Sequence, residues 1–64
     1  MTQEDALRAA QTILDKRAGE VEFRVQVDSP SDCTQTIKAF KALGCRVKTN
    51  RQETILTIHR PTSH

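Results

Sequence analysis

The segment EVEFRVQVD, residues 20–28, decides the fold because its side chains alternate in character without interruption. Its apolar residues all stand at odd positions, Val21, Phe23, Val25 and Val27, and polar or charged residues stand between them. A period of two is typical of a β-strand that buries one face and leaves the other in water. The segment therefore predicts a sheet with one apolar face, which other parts of the chain must cover.

A first helix is predicted before this strand, over residues 2–17. Its apolar side chains recur at steps of three and four from Ala6 to Leu14, which places them on one face. Thr2 is positioned to cap the helix, and Gly19 is predicted to end it in a left-handed conformation.

A second helix is predicted over residues 30–43, after the strand. Ser29 would cap it with Pro30 at its first position, and Gly44 would stop it. Apolar side chains again fall on one face, so this helix can also cover the sheet.

Two further strands are predicted at residues 45–49 and 54–59, separated by a polar turn. The last strand is apolar on both faces, which favours a central place in the sheet. The strand-helix-strand unit should be right-handed with its two strands parallel. The sequence thus predicts a two-layer α/β sandwich in the order helix-strand-helix-strand-strand. It has a three-stranded mixed sheet, the last strand central and both helices on one face.

Size and composition restrict the class of protein. The 64 residues suit one small domain, predicted at residues 1–60 with a flexible tail at 61–64, near the lower limit for independent folding. Self-association would supplement such a small core. No apolar run is long enough to span a bilayer, and the acidic N-terminus differs from a secretory signal. We expect a cytoplasmic protein with no membrane partner.

The two cysteines are predicted to be free thiols. A helix of about 16 Å separates Cys33 from Cys45, whereas a disulfide requires Cα atoms within roughly 7 Å. Cys33 stands near a helix start, which can lower the pKa of a thiol, so it is a candidate reactive thiol. The alternative is that Cys33 is a small buried residue on the inner face of its helix.

The charge is unevenly distributed along the chain. Residues 1–32 carry four basic and seven acidic side chains, whereas residues 33–64 carry six basic side chains and one acidic side chain. Five basic or titratable residues of the second half form a candidate site for phosphate or for an acidic partner: Arg46, Lys48, Arg51, His59 and Arg60.

Two interpretations of this basic set remain open. It could bind nucleic acid through its phosphates, although base stacking is unavailable because the only aromatic residues, Phe23 and Phe40, are both predicted to be buried. It could instead pair with Glu20 and Glu22, on the neighbouring strand or on a second copy.

No catalytic constellation, metal site or cofactor is predicted. Glu20 and Glu22 form a carboxylate pair on one strand face, but no nucleophile accompanies them and a solvated stripe explains them. The cysteines and histidines lack the spacing of a metal site, and His59 and His64 straddle a proline.

From Leu7 to Arg60 the chain resembles the TusA/SirA-like family of small sulfur-carrier proteins. The resemblance rests on four segments, here written as they stand in this chain: RAGE at 17–20, DSP at 28–30, IKAFKALGC at 37–45, and VKT at 47–49 followed by ILTIHR at 55–60. It implies the same order of helices and strands, preceded in the family by one more strand.

The departures from the family concern its chemistry. Its members carry a Cys-Pro-x-Pro motif at the start of the first helix, where the cysteine bears persulfide sulfur. Residues 2–5 read TQED here, so the thiol is absent, and so is the strand before it. The missing strand would leave the edge of the strand at 20–28 free to pair with another chain.

Three functions follow as hypotheses. The first is a non-catalytic accessory or regulatory domain that acts through protein–protein contact and self-association. The second is a small nucleic-acid-binding protein that uses the basic hairpin and sheet face. The third is a sulfur-transfer protein that uses Cys33 or Cys45.

Overall fold

The helices and strands follow one another in the predicted order, in a computed structural model that describes residues 2–61. They are helix α1 at Gln3–Lys16, strand β1 at Glu22–Gln26, helix α2 at Pro30–Ala42, strand β2 at Arg46–Thr49 and strand β3 at Ile55–His59. Of the predicted tail, residues 61–64, all but Pro61 lie outside the described residues.

Helix α1 begins as the sequence predicts. The Thr2 side chain accepts a hydrogen bond from the backbone N–H of Asp5 at 3.1 Å, which satisfies one of the free donors of the first turn. Ala6 and Ala10 are buried, and the other apolar residues of the same face are half-buried: Leu7, Ile13 and Leu14. The predicted apolar face is therefore confirmed.

The predicted left-handed glycine at the end of α1 is wrong. Arg17 caps the helix with φ −110°, and Gly44 is the only glycine with a positive φ. The guanidinium of Arg60 donates to the carbonyl oxygens of Leu14 and Arg17 instead. Because a distant side chain satisfies these carbonyls, the helix end needs no left-handed residue.

Both ends of helix α2 are confirmed. The Ser29 side chain accepts from the backbone N–H of Asp32 at 3.2 Å, and Pro30 opens the first turn. Gly44 has φ 87°, and the backbone N–H groups of Gly44 and Cys45 each donate at 3.0 Å to carbonyls of the last turn. This pattern is a Schellman motif, which turns the chain directly into β2.

Strand β3 is central, as predicted, and the strand order is β1-β3-β2. Ile58 lies opposite Phe23 on one side and Val47 on the other, and β3 runs antiparallel to both neighbours. β1 and β2 run in the same direction but do not pair. Both ladders of the described residues are therefore antiparallel, which makes antiparallel a better description of the sheet than mixed.

The core lies between the sheet and the two helices. Phe40, Leu56 and Ile58 have no exposed surface, and the ring of Phe23 meets that of Phe40 edge to face with centroids 6.2 Å apart. Helix α2 lies over β2 and β3, and α1 packs against α2. Helix α1 faces the end of β1 across a groove, which Ala9, Ala10 and Ile13 line on one side and Val25 and Val27 line on the other.

Neither helix could span a lipid bilayer. The two helices of the described residues have 14 and 13 residues, and neither is apolar enough for a membrane span.

Candidate functional site

Strand β1 has a free edge with unused backbone groups. The carbonyl of Val21 accepts from the N–H of Arg60, and the N–H of Val27 donates to the carbonyl of Thr54, both at 2.8 Å. In an antiparallel ladder, alternate residues bond to the same neighbour, so the odd residues of β1 bond to β3. The even residues, Glu22, Arg24 and Gln26, direct their N–H and C=O groups away from the sheet.

A groove of 160 Å³ lies beside this edge, between α1 and β1; its surface is mostly apolar, with Asp28 and Asp32 at one end. Ala9, Ala10 and Ile13 of α1 line it on one side, and Val25 and Val27 line it on the other. Val21, at the start of β1, is 57% exposed, whereas an inward-facing valine of a sheet is usually covered. The edge of β1 therefore combines unpaired backbone, an apolar groove and an exposed apolar side chain.

The face of the sheet that points away from the helices is polar. One row across it consists of Glu22, His59 and Arg46, and the next of Arg24, Thr57 and Lys48. This arrangement brings Arg46, Lys48 and His59 together, as the sequence predicts. We call it the open face.

Arg24 belongs to the open face, although the sequence-based set of basic residues omits it. Its position in the alternation of β1 already placed it on the polar side, but only the pairing of β1 with β3 brings it close to Lys48, across Thr57. Among residues 2–61 the only ion pair joins Arg17 to Glu20, so the cations of the open face are not neutralised by direct contact with carboxylates.

Arg51 is separated from the open face and lies at the exposed tip of the β2–β3 turn. The side-chain oxygen of Asn50 holds this turn closed by accepting from the N–H groups of Thr54 and Ile55 at 2.9 and 3.1 Å. Arg51 can therefore extend the basic surface beyond the end of the sheet.

His59 lies between two depressions, one of 440 Å³ and one of 210 Å³, and with Arg46 it lines both. Its Nδ1 atom is shielded from solvent and has no hydrogen-bond partner among the described residues. The ring of His59 therefore forms part of the wall between the two depressions.

Arg60 lines the larger depression with Arg46 and His59, but its donors are used elsewhere. It shares the helix-facing side of β3 with Leu56 and Ile58, and its Nε donates to the carbonyl of Glu20 at 2.7 Å, in addition to its bonds to the end of α1. Its guanidinium also lies 5.9 Å from the ring centroid of Phe23. These contacts give Arg60 a structural role in joining α1 to the sheet.

The carboxylates Glu20 and Glu22 have different surroundings. Glu20 precedes β1 and pairs with Arg17 at 3.0 Å, whereas Glu22 lies on the open face and lines the smaller depression with Arg46 and Lys48. They do not form a shared site for acid–base chemistry.

Both cysteines are free and buried. The Cys33 sulfur lies 3.7 Å from the Thr49 hydroxyl oxygen, and Cys33 is 2% exposed. Burial raises the pKa of the Cys45 thiol, and the positive charge of Arg60 opposes this only in part. A donor could reach either sulfur only if the core opened, and at neutral pH burial keeps Cys45 in its less reactive thiol form.

Within residues 2–61, no group of three or more histidine, cysteine or acidic side chains is placed to hold a metal ion. Comparison of the chain with protein-family models, with curated proteins and with solved structures finds no match in any of the three. The candidate sites therefore depend on the geometry of this chain alone.

Proposed function

We propose that this chain is a non-catalytic accessory or regulatory domain that acts through protein–protein contact, including self-association, at the free edge of β1. The observation that carries the proposal is the row of unused backbone groups at Glu22, Arg24 and Gln26 beside the apolar groove. An extended segment that pairs with this edge gains main-chain hydrogen bonds, and its inward side chains enter the groove.

The proposal includes the resemblance to the TusA/SirA-like family. In that family a further strand lies beside the strand that corresponds to β1, and a strand from another chain can pair with the edge of β1 in the same way. We propose a cytoplasmic location, which is consistent with two free thiols in one small domain.

The experiment compares proline substitutions at the two edges of the sheet. Arg24→Pro removes an N–H that points away from the sheet at the β1 edge. Thr49→Pro does the same at the β2 edge, where the even residues bond to β3 and Thr49 faces outward. Circular dichroism and urea unfolding establish that both variants fold.

Sedimentation equilibrium up to millimolar concentration is then expected to give dimers for the wild type and Thr49→Pro, and monomers for Arg24→Pro. A wild-type chain that stays monomeric, or an association that survives Arg24→Pro, would overturn the proposal.

A second candidate function is nucleic-acid binding by the open face. It is favoured by Arg24, Arg46 and Lys48, which lie on neighbouring rows and make no ion pair within residues 2–61. Phosphate oxygens are suitable partners for such cations.

Fluorescence anisotropy with mixed-sequence single-stranded RNA tests this function. Replacing both Arg46 and Lys48 by glutamine should weaken binding and reduce the salt slope by about 1.4, because each lost phosphate contact removes about 0.7. The control replaces Lys38 and Lys41, exposed on α2, and should leave the slope unchanged. Equal effects of the two double variants, or no binding at low salt, would exclude the open face.

A further inference from the structure

We infer that two copies of this chain pair through their β1 strands in one two-fold register, with Glu22 of each copy opposite Arg24 of the other. This inference rests on the proposed function and specifies its geometry. It commits the groove beside β1 to one occupant, a second copy of this chain.

The backbone limits the choice of register. Only the even residues of β1 have free N–H and C=O groups at the edge, so even residues must lie opposite even residues in the new ladder. A closed pair of identical chains also requires a two-fold axis, which makes the two β1 strands antiparallel.

Charge and the exposed valine together select among the registers that remain. A register centred on residue 24 places two arginines opposite each other. One centred on residue 22 places Arg24 opposite Glu20, but it also places the two Glu22 side chains opposite each other. One centred on residue 26 places Arg24 opposite Asp28 but leaves Val21 without a partner on the other strand. The register centred on residue 23 pairs Glu22 with Arg24 twice by symmetry and also gives Val21 a partner.

The same register explains the exposed valine. With residue 23 at the axis, Val21 of one copy lies opposite Val25 of the other, on the side of the sheet that faces the helices. Val25 lines the apolar groove, so Val21 of the second copy meets the groove that α1 leaves open. Directly opposite side chains have Cβ atoms about 5 Å apart, close enough for the two valines to pack.

Charge reversal tests the register. Glu22→Arg gives two pairs of opposed arginines, and Arg24→Glu gives two pairs of opposed glutamates. Both positions are exposed in the single chain, so the fold is expected to tolerate them. Each single variant should raise the dissociation constant of the dimer by about tenfold or more.

A double variant and a mixture of the two single variants complete the test. The chain that carries both Glu22→Arg and Arg24→Glu should dimerise like the wild type, because both pairs are restored with exchanged signs. An equimolar mixture of the two single variants should form the heterodimer for the same reason, measured by sedimentation with one chain labelled.

The apolar part of the contact has its own control. Val21→Ala should weaken the dimer, whereas Ile55→Ala, the other exposed large apolar residue, lies on the open face and should leave it unchanged. Equal dissociation constants for Val21→Ala and the wild type would contradict the placement of Val21 in the groove.

Failure of this inference differs from failure of the proposed function. If Arg24→Pro abolishes the dimer but the charge reversals have no effect or are not rescued, the edge is used in another register and the inference is overturned. If no dimer forms, or if Arg24→Pro leaves it intact, the proposed function fails as well.

Discussion

At the β2 edge of the sheet, helix α2 passes directly over the strand, whereas at the β1 edge two arginine side chains close the core. A connection of three residues, Leu43 to Cys45, forms the Schellman turn that joins α2 to β2, so the inner face of β2 is covered by its neighbour in the sequence. The rings of Phe23 and Phe40 lie between the two sides.

The surface that this small chain leaves for contact lies beside β1. Arg17 and Arg60 lie 5.6 and 5.9 Å from the ring centroid of Phe23, which is 5% exposed. They do not fill the space farther along the strand, where the groove begins at Val25. Both edges of the sheet have outward backbone groups, but only at β1 does a groove beside them offer space for the side chains of an added strand.

The largest effect is expected where the two edges contribute unequally to the core. Phe23 and Val47 lie on opposite sides of Ile58, but Phe23 is 5% exposed and Val47 is half-buried. Phe23→Ala should reduce the free energy of unfolding by about 3–5 kcal/mol. Val47→Ala, which removes about two methyl groups from a partly exposed site, should cost about 1 kcal/mol.

Urea unfolding followed by circular dichroism measures both changes. Phe23→Leu keeps most of the volume and gives a folded comparison if Phe23→Ala is unfolded. A greater loss for Val47→Ala than for Phe23→Ala would mean that the β2 side dominates the core.

A smaller effect is expected from the arginine that closes the β1 side. Arg60→Met keeps an apolar stem but removes the donors to the carbonyls of Leu14, Arg17 and Glu20, and it should cost about 1–2 kcal/mol. Arg46→Met on the open face is the matched control and should change stability by less than about 0.5 kcal/mol.

Hydrogen exchange localises the same effect. The amides in the last turn of α1 should lose protection in Arg60→Met and keep it in Arg46→Met, because only Arg60 bonds to that helix end. Equal protection in the two variants would argue against the structural role of Arg60.

The smallest effect concerns the pH dependence of stability on the β2 side. The pKa of Cys45 is raised in the folded chain by burial, from an ordinary value of 9.0. As pH rises, the Cys45 thiol therefore loses its proton in the unfolded chain before it does so in the folded chain. Its contribution to the free energy of unfolding is fully present below pH 9.0 and is lost as pH rises through the folded pKa.

Urea unfolding of the wild type and of Cys45→Ala across this pH range tests whether the Cys45 thiol lowers stability as pH rises. The wild type should lose stability more steeply above pH 9.0, and Arg60→Met should raise the pKa of Cys45 further because it removes a nearby positive charge. A parallel pH dependence in Cys45→Ala and the wild type would assign the loss to other groups.

Much of the fold could be predicted because its signals are local. The caps at Thr2 and Ser29 and the stop at Gly44 involve hydrogen bonds between residues no more than five positions apart. The alternation of β1 and the two-sided apolar character of β3 likewise predicted which strand is central.

The candidate site was only partly predictable. Arg46, Lys48 and His59 were correctly grouped because their strands alternate. Arg60 also lies with Arg46 and His59 at the larger depression, although its donors bond to the end of α1. Its position two residues after Ile58 was the signal that it faces the helices.

The sequence by itself determined the helices, the strands, their order and the polar side of each strand, since these depend on contacts within a few residues. Only the tertiary structure decided that Arg60 bonds to carbonyls more than forty positions away, that Arg24 joins the open face, and that a groove lies between α1 and β1. The physical reason is that the register of strands and the packing of one helix on another depend on how the elements fit together. No local pattern of residues specifies that fit.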